Sequence, residues 1–232
     1  RHPMTALLSL TDVSMHFSPE ADSRYAVFGG INLTVEAGEC VALIGRNGSG
    51  KSTLLRVMAK VFAPTSGTVS WAPGVAVSLL TLGLGFRPDL SGRDNAFLSC
   101  LLLGLSRKEA AESLSHIEAF CEIGTFFDEP VRSYSAGMRA RLGFGTALMN
   151  RSQVILIDET LSVGDQQFRE KAREALEQEL AGHRSVVLVS HAEQQIQRLC
   201  QRALLLQDGA IVSEGSPDDV LAEYSASINK TP

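Results

Sequence analysis

CVALIGRNGSGKST, residues 40–53, is the stretch that decides the fold. Cys40 to Ile44 is a short apolar run without polar alternation, the pattern of a strand buried on both faces. Gly45-Arg46-Asn47-Gly48-Ser49-Gly50-Lys51-Ser52 fits G-x-x-x-x-G-K-[ST], and Lys51 to Lys60 reads as a helix. Glycines at these places let backbone N–H groups wrap a nucleotide's phosphates, and the helix start adds about half a positive charge. Lys51 is expected to reach the β- and γ-phosphates, and the Ser52 hydroxyl to ligate Mg²⁺. Gly45, Asn47, Gly48, Ser49, Gly50 and Thr53 complete the expected binding loop.

A phosphate cradle needs acid near the metal and the reacting water. Val154 to Ile157 is four apolar residues, followed at once by Asp158 and Glu159. A strand that buries its body and presents acid at its C-terminal tip delivers charge to the ligand edge of a parallel sheet. Asp158 suits the Mg²⁺ shell, through water. Glu159 suits the base or water-positioning role in in-line attack on the γ-phosphate. His191 follows another apolar run, Val186 to Val189, and is expected to contact the same phosphate. These elements together read as an ATPase using ATP and Mg²⁺. An aromatic ahead of the loop should carry the adenine; Phe17 is the choice and Tyr25 the alternative, since stacking tolerates weak base specificity.

Around these motifs the pattern is α/β. Leu7 to His16 and Ile31 to Val35 alternate apolar and polar residues and read as half-buried antiparallel strands. Ala203 to Leu206 is a further buried run, Asp208-Gly209 a hairpin turn, and Ser216-Pro217-Asp218-Asp219 the cap of a last helix. Apolar runs separated by helices, such as the charge-laced Gln166 to Leu180, imply a largely parallel sheet. The middle differs. Ser91-Gly92-Arg93-Asp94 and Ser106-Arg107-Lys108-Glu109 both have capping-box form ahead of helical stretches. The expectation is one domain over 1–232: a nucleotide-binding core at 4–86 and 151–232, with an antiparallel β-subdomain at its start, and an inserted helical subdomain at 87–150.

A second anion cradle lies inside that insertion. RSYSAGMRAR, residues 132–141, opens a helix on Ser135, Ala136 and Gly137, whose small side chains leave backbone N–H groups bare. Ser135-Ala136-Gly137-Met138 resembles the signature motif of ATP-binding-cassette (ABC) ATPases, usually written LSGGQ. Leu161-Ser162-Val163-Gly164-Asp165 resembles their D-loop, and His191 their switch histidine. The order of motifs matches that family over essentially the whole chain. The resemblance implies that two copies pack head to tail, so that Ser135, Ala136 and Gly137 close over the partner's ATP. Within the family, Ser133-Tyr134-Ser135-Ala136-Gly137-Met138, Leu82 to Phe86, Leu90 to Asn95 and Val163-Gly164-Asp165 resemble the cassettes of O-antigen, capsule and teichoic-acid exporters.

That subfamily implies a separate membrane permease as partner, and a lipid-linked polysaccharide as cargo. Three departures stand out. Ala136 and Met138 replace the usual glycine and glutamine, and no Q-loop glutamine is evident around Leu80, Thr81 and Leu82. The chain also stops soon after Tyr224, so the carbohydrate-binding domain of some members is expected to be missing. Alternatives are a generic ABC exporter cassette, a soluble ABC ATPase acting on DNA or ribosomes, and a P-loop kinase. The signature and D-loop argue against the kinase.

Composition narrows the partners. With 21 Lys+Arg against 26 Asp+Glu the net charge is −5, and no basic block offers a nucleic-acid footprint. Val75 to Phe86, the longest apolar stretch, is far short of the ~20 residues a spanning helix needs. Cys40, Cys100, Cys121 and Cys200 form no C-x-x-C pair and read as reduced core residues. The expected place is the cytoplasmic face of the bacterial inner membrane, reached through the permease.

Overall fold

A computed structural model describes residues 5–20, 23–80, 82–83, 85–158, 165–181, 184–190 and 192–229. The chain divides into two compact units. One comprises Arg1–Leu79, Ser152–Glu159 and Leu180–Pro232; the other comprises Leu80–Arg151 and Thr160–Glu179.

The first unit is built on two sheets. Strands β1 (Ala6–Glu20), β2 (Ser23–Glu36) and β4 (Ser66–Trp71) form an antiparallel sheet in the order β2-β1-β4. Here Leu8 and Leu10 alternate inward, and an irregularity at Asp12, φ 50°, brings Val13 into the same core cluster. The second sheet has the order β5-β6-β7-β3-β8-β9, with β3 at Cys40–Ile44, β5 at Val77–Leu80, β6 at Val154–Ile157 and β7 at Ser185–Leu188. Strands β8 (Arg202–Gln207) and β9 (Ala210–Gly215) complete it. The pairs β3–β7, β3–β8 and β6–β7 are parallel, while β8 and β9 form the antiparallel hairpin that Asp208-Gly209 announces. Asp208 and Gly209 both have positive φ, 48° and 78°, as a type I′ turn demands. Every residue of β3, β6 and β7 is buried, so these strands read as unbroken apolar runs. One cluster containing Leu8, Phe28, Leu43, Leu54, Leu156 and Leu204 joins the two sheets to helix α1 (Lys51–Met58).

The second unit is helical: α2 (Gly92–Leu102), α3 (Arg107–Cys121), α4 (Ala136–Ala147) and α5 (Gln166–Ala181). The Ser91 hydroxyl accepts a bond from Asp94 N, capping α2. At α3 the capping box is complete: Ser106 Oγ accepts from Glu109 N, and Glu109 Oε2 accepts from Ser106 N at 2.8 Å. The core of this unit holds Ala96, Cys100, Ile117, Phe127, Tyr134 and Leu142. Phe168 of α5 packs edge-on against Phe120 and Phe144, which groups 160–179 with the helices of 80–151 rather than with the core expected over 151–232. In the first unit, helices α6 (Glu193–Leu199) and α7 (Pro217–Asn229) follow the sheet strands.

All four cysteines are free and buried. Among the described residues no helix is long and apolar enough to cross a membrane.

Candidate functional site

The loop after β3 is shaped by contacts that only glycine permits. A Cβ on Gly45 would lie 2.3 Å from Leu206 O and 2.8 Å from Ser49 Oγ. Gly50, with φ 101°, is the N-cap of α1, and its left-handed backbone turns the chain into the helix without a side-chain cap. Lys51 is 7% exposed, and its ammonium donates to Gly45 O at 2.7 Å and Arg46 O at 2.8 Å. The lysine thus lies back along its own loop. A cation this buried is costly unless it is hydrogen-bonded, and these carbonyls meet that need. Ser49 Oγ is buried with no hydrogen-bond partner among the described residues.

A cavity of about 420 Å³ opens on this loop, and Phe17, Lys51, Ser52 and Asp158 all line it. Asp158 arrives there because it follows the buried β6 directly. One hydroxyl and one carboxylate are a hard-oxygen set, and no cluster of three or more His, Cys, Asp or Glu able to hold a metal occurs among the described residues. That donor set fits Mg²⁺, which takes one or two protein oxygens and completes its shell with phosphate and water. Phe17 is 40% exposed and meets Phe62 edge-to-face at 6.0 Å. Tyr25 stands opposite Phe17 in the β1–β2 register and lines the same cavity, so both aromatic candidates share one wall. Tyr25 also lines a second cavity of about 610 Å³ with His16, Arg46, Asp208 and Tyr224.

In the helical unit Ser135 is the N-cap of α4, its Oγ accepting from Met138 N at 3.1 Å. Ser135 and Ala136 are exposed and Gly137 half-buried. A Cβ on Gly137 would meet nothing nearer than Ser135 Oγ at 3.8 Å. Glycine in a helix costs about 1 kcal/mol against alanine, and no close contact among the described residues requires it here. The approach to α4 is fixed from behind: Tyr134 Oη donates to Phe126 O, and burial pushes the Tyr134 hydroxyl up to about 12.

Asp165, the last residue of the D-loop reading, accepts from Phe168 N at 2.9 Å at the head of α5 and pairs with Arg141 at 2.6 Å. Those two bonds, the backbone one first, hold its carboxyl below the usual range. Arg141 and its bond to Asp165 were not singled out in the sequence, because 24 residues and two different helices separate the partners. Glu159, His191 and residues 161–164 of the D-loop reading, together with Thr81 beside the missing Q-loop glutamine, lie outside the described residues.

A family model described as ABC transporter matches residues 28–162. The chain is 42% identical over 200 residues to an O-antigen export system ATP-binding protein of Myxococcus xanthus, covering 86% of this chain and 46% of that protein. It is 39% identical over 201 residues to the O-antigen export system ATP-binding protein of Klebsiella pneumoniae, covering 87% of this chain and 81% of the relative. With a teichoic acids export ATP-binding protein of Shouchella clausii the identity is 38%, over 86% of this chain and 55% of the relative. The chain thus spans about half the length of two of these three relatives. Among solved structures, an ATP-binding subunit of an ABC transporter superposes with TM-score 0.81 at 21% identity, covering 97% of this chain and all of that one. A dimeric, post-hydrolysis ATP-binding cassette bound to ADP and Pi gives TM-score 0.76 at 21% identity, over 91% and 99% of the two chains. The family model spans more than half of the chain, and the chain belongs to the ATP-binding proteins of the ABC transporter family.

Proposed function

We propose that this chain is the ATP-hydrolysing subunit of an exporter that moves a lipid-linked cell-surface polysaccharide through a separate membrane permease. Two copies close head to tail around two ATP. In each site the backbone N–H groups of residues 45–53 and Lys51 hold the phosphates, Phe17 carries the adenine, and Ser52 and Asp158 hold Mg²⁺. The metal, when bound, neutralises the β- and γ-phosphate oxygens. Glu159 orients and deprotonates the attacking water, and His191 contacts the γ-phosphate. Ser135, Ala136 and Gly137 serve the partner's nucleotide. The polysaccharide cargo and the place at the inner face of the membrane are supported by the O-antigen and teichoic-acid exporters among the relatives.

The observation that carries this reading is Gly137. Among the described residues, apart from its own helix backbone and its chain neighbours, nothing lies nearer to a Cβ there than Ser135 Oγ at 3.8 Å, yet the first turn of α4 keeps the least helix-favouring residue short of proline. A close approach from outside the chain accounts for it, and bare N–H groups at a helix start suit a phosphate.

The test is complementation of a strain lacking the gene. Wild-type protein should restore surface polysaccharide, while Gly137→Asp should leave the polymer inside the cell, because a carboxylate would face the partner's γ-phosphate. Purified Gly137→Asp should still bind ATP as a monomer. Normal surface polymer in the deletion strain contradicts the export reading. Loss of monomer ATP binding in Gly137→Asp contradicts the assignment to the partner's site.

A further inference from the structure

Cys40 opens β3 and Cys200 is the C-cap of α6, 160 positions further along the chain. Both are buried, and their Sγ atoms lie 3.2 Å apart. Among the described residues they are the one pair of sulfurs in such contact. The backbone around them is pinned. Gln201 N donates to Cys40 O at 3.0 Å, and Cys40 N donates to Gln201 Oε1 at 2.8 Å. Just outside the pair, the Arg202 guanidinium bonds the Glu39 carboxylate at 2.7 and 3.0 Å. Cys200 N donates to Ile196 O at 2.9 Å, closing the last turn of α6. The other two cysteines belong to the helical unit, where Cys121 Sγ donates to a carbonyl, Arg141 O, at 3.3 Å.

We propose that Cys40 and Cys200 form a modification site: a reversible disulfide that closes under peroxide and staples the root of β3 to the end of α6. The nucleotide chemistry above uses neither sulfur. The sulfurs must close from 3.2 Å to about 2.05 Å, a shift within reach of rotation about the two Cα–Cβ bonds while the surrounding bonds hold the backbone. One thiolate attacks the O–O bond of hydrogen peroxide, becomes a sulfenic acid and releases water. The second thiol attacks that sulfur; the S–O bond breaks, the S–S bond forms and a second water leaves. Two thiols and one peroxide thus give one disulfide and two waters, and the sulfurs lose two electrons. The bond to Cys40, then burial, push the Cys200 thiol up, so its thiolate is scarce at neutral pH. The pair therefore stays reduced in a reducing compartment and closes when peroxide is abundant. The bridge stabilises the first unit mainly by restricting the unfolded chain across that long loop. It sits at the start of β3, about 16 Å of strand before Gly45, so hydrolysis should continue in the bridged protein.

The test treats the folded chain with hydrogen peroxide, quenches, unfolds it and counts thiols beside a peptide map. Two of the four cysteines should remain free, and one linked peptide pair should join Cys40 to Cys200. The melting temperature should rise by about 5–10 °C, and ATP turnover should stay within about twofold of the untreated protein. Dithiothreitol should restore all four thiols and the original melting temperature. Cys200→Ala, treated in the same way, should give no linked peptide and no rise. Four free thiols in the treated wild type overturn the proposal, as does a bridge to Cys100 or Cys121, or a sulfinic acid in place of the bridge. A bridge that leaves the melting temperature unchanged, or that abolishes turnover, overturns it too, and so does an equal rise in Cys200→Ala. If that variant fails to fold, the wild-type map and its reversal by dithiothreitol decide alone.

Discussion

Lys51 shows how tightly the phosphate loop is specified at the scale of single residues. Its ammonium donates to two loop carbonyls, and the residue lines the same cavity as Ser52 and Asp158. The glycine pattern between strand and helix was legible because the motif is local, eight consecutive residues; the bonds from Lys51 back to its own loop carbonyls were not, since the sequence pointed that side chain at phosphates. The pairing of Arg141 with Asp165 was not, because it exists only after two helices have packed. Glu159 is the residue on which turnover should depend most. Glu159→Gln keeps the shape and removes the base, so kcat should fall ~10²–10⁴-fold while ATP binding survives. Single-turnover kinetics beside a binding titration check this, and near-normal kcat removes Glu159 from its role.

Elements show where sequence patterns run out. Strands β3, β6 and β7 were readable as apolar runs, and both N-caps of α2 and α3 as Ser-x-x-acid. Strand β4 was not. Its residues are mostly exposed, and it is held by antiparallel pairing of Trp71 with Leu8 and Val69 with Leu10, a partnership some 60 residues apart. Likewise Leu82 to Phe86, an apolar stretch, contains turn residues with Gly83 and Gly85 at φ 69° and 73°.

Two predictions belong to this scale. A Cβ on Gly92, the first residue of α2, would lie 2.0 Å from Tyr134 Oη and 3.0 Å from Phe127 O. Gly92→Ala should therefore destabilise the helical unit by about 1–3 kcal/mol, as overpacking does. It should also disturb the residue that leads into Ser135. Urea unfolding measures the first effect, and wild-type stability would show that Tyr134 can step aside. The second concerns acid. Hydrogen bonds from the Ser106 hydroxyl and backbone, then from Arg151, hold the Glu109 carboxyl at about 2. A carboxyl lowered on folding stabilises above its unfolded value, near 4.3, and loses that contribution as pH falls toward its folded value. The helix content of the helical unit should thus drop between about pH 4.3 and pH 2, and Glu109→Gln should flatten that part of the profile. An unchanged profile in circular dichroism would detach the capping box from acid sensitivity.

For the whole molecule, two phosphate-seeking features on one chain have different supports. The loop at 45–53 is braced by β8 and by its own carbonyls, whereas at Gly137, in the first turn of α4, the nearest contact of a Cβ among the described residues is Ser135 Oγ at 3.8 Å. On the reading proposed above, the open half is completed by a second copy. The measurement that tests this most directly is the solution mass of Glu159→Gln by light scattering, with and without ATP and Mg²⁺. The account predicts a monomer that doubles in mass on adding ATP and holds two nucleotides per pair, while the same chain carrying Gly137→Asp binds ATP and stays single. A chain that saturates with ATP and keeps its monomer mass, or a Gly137→Asp chain that still doubles, would contradict it.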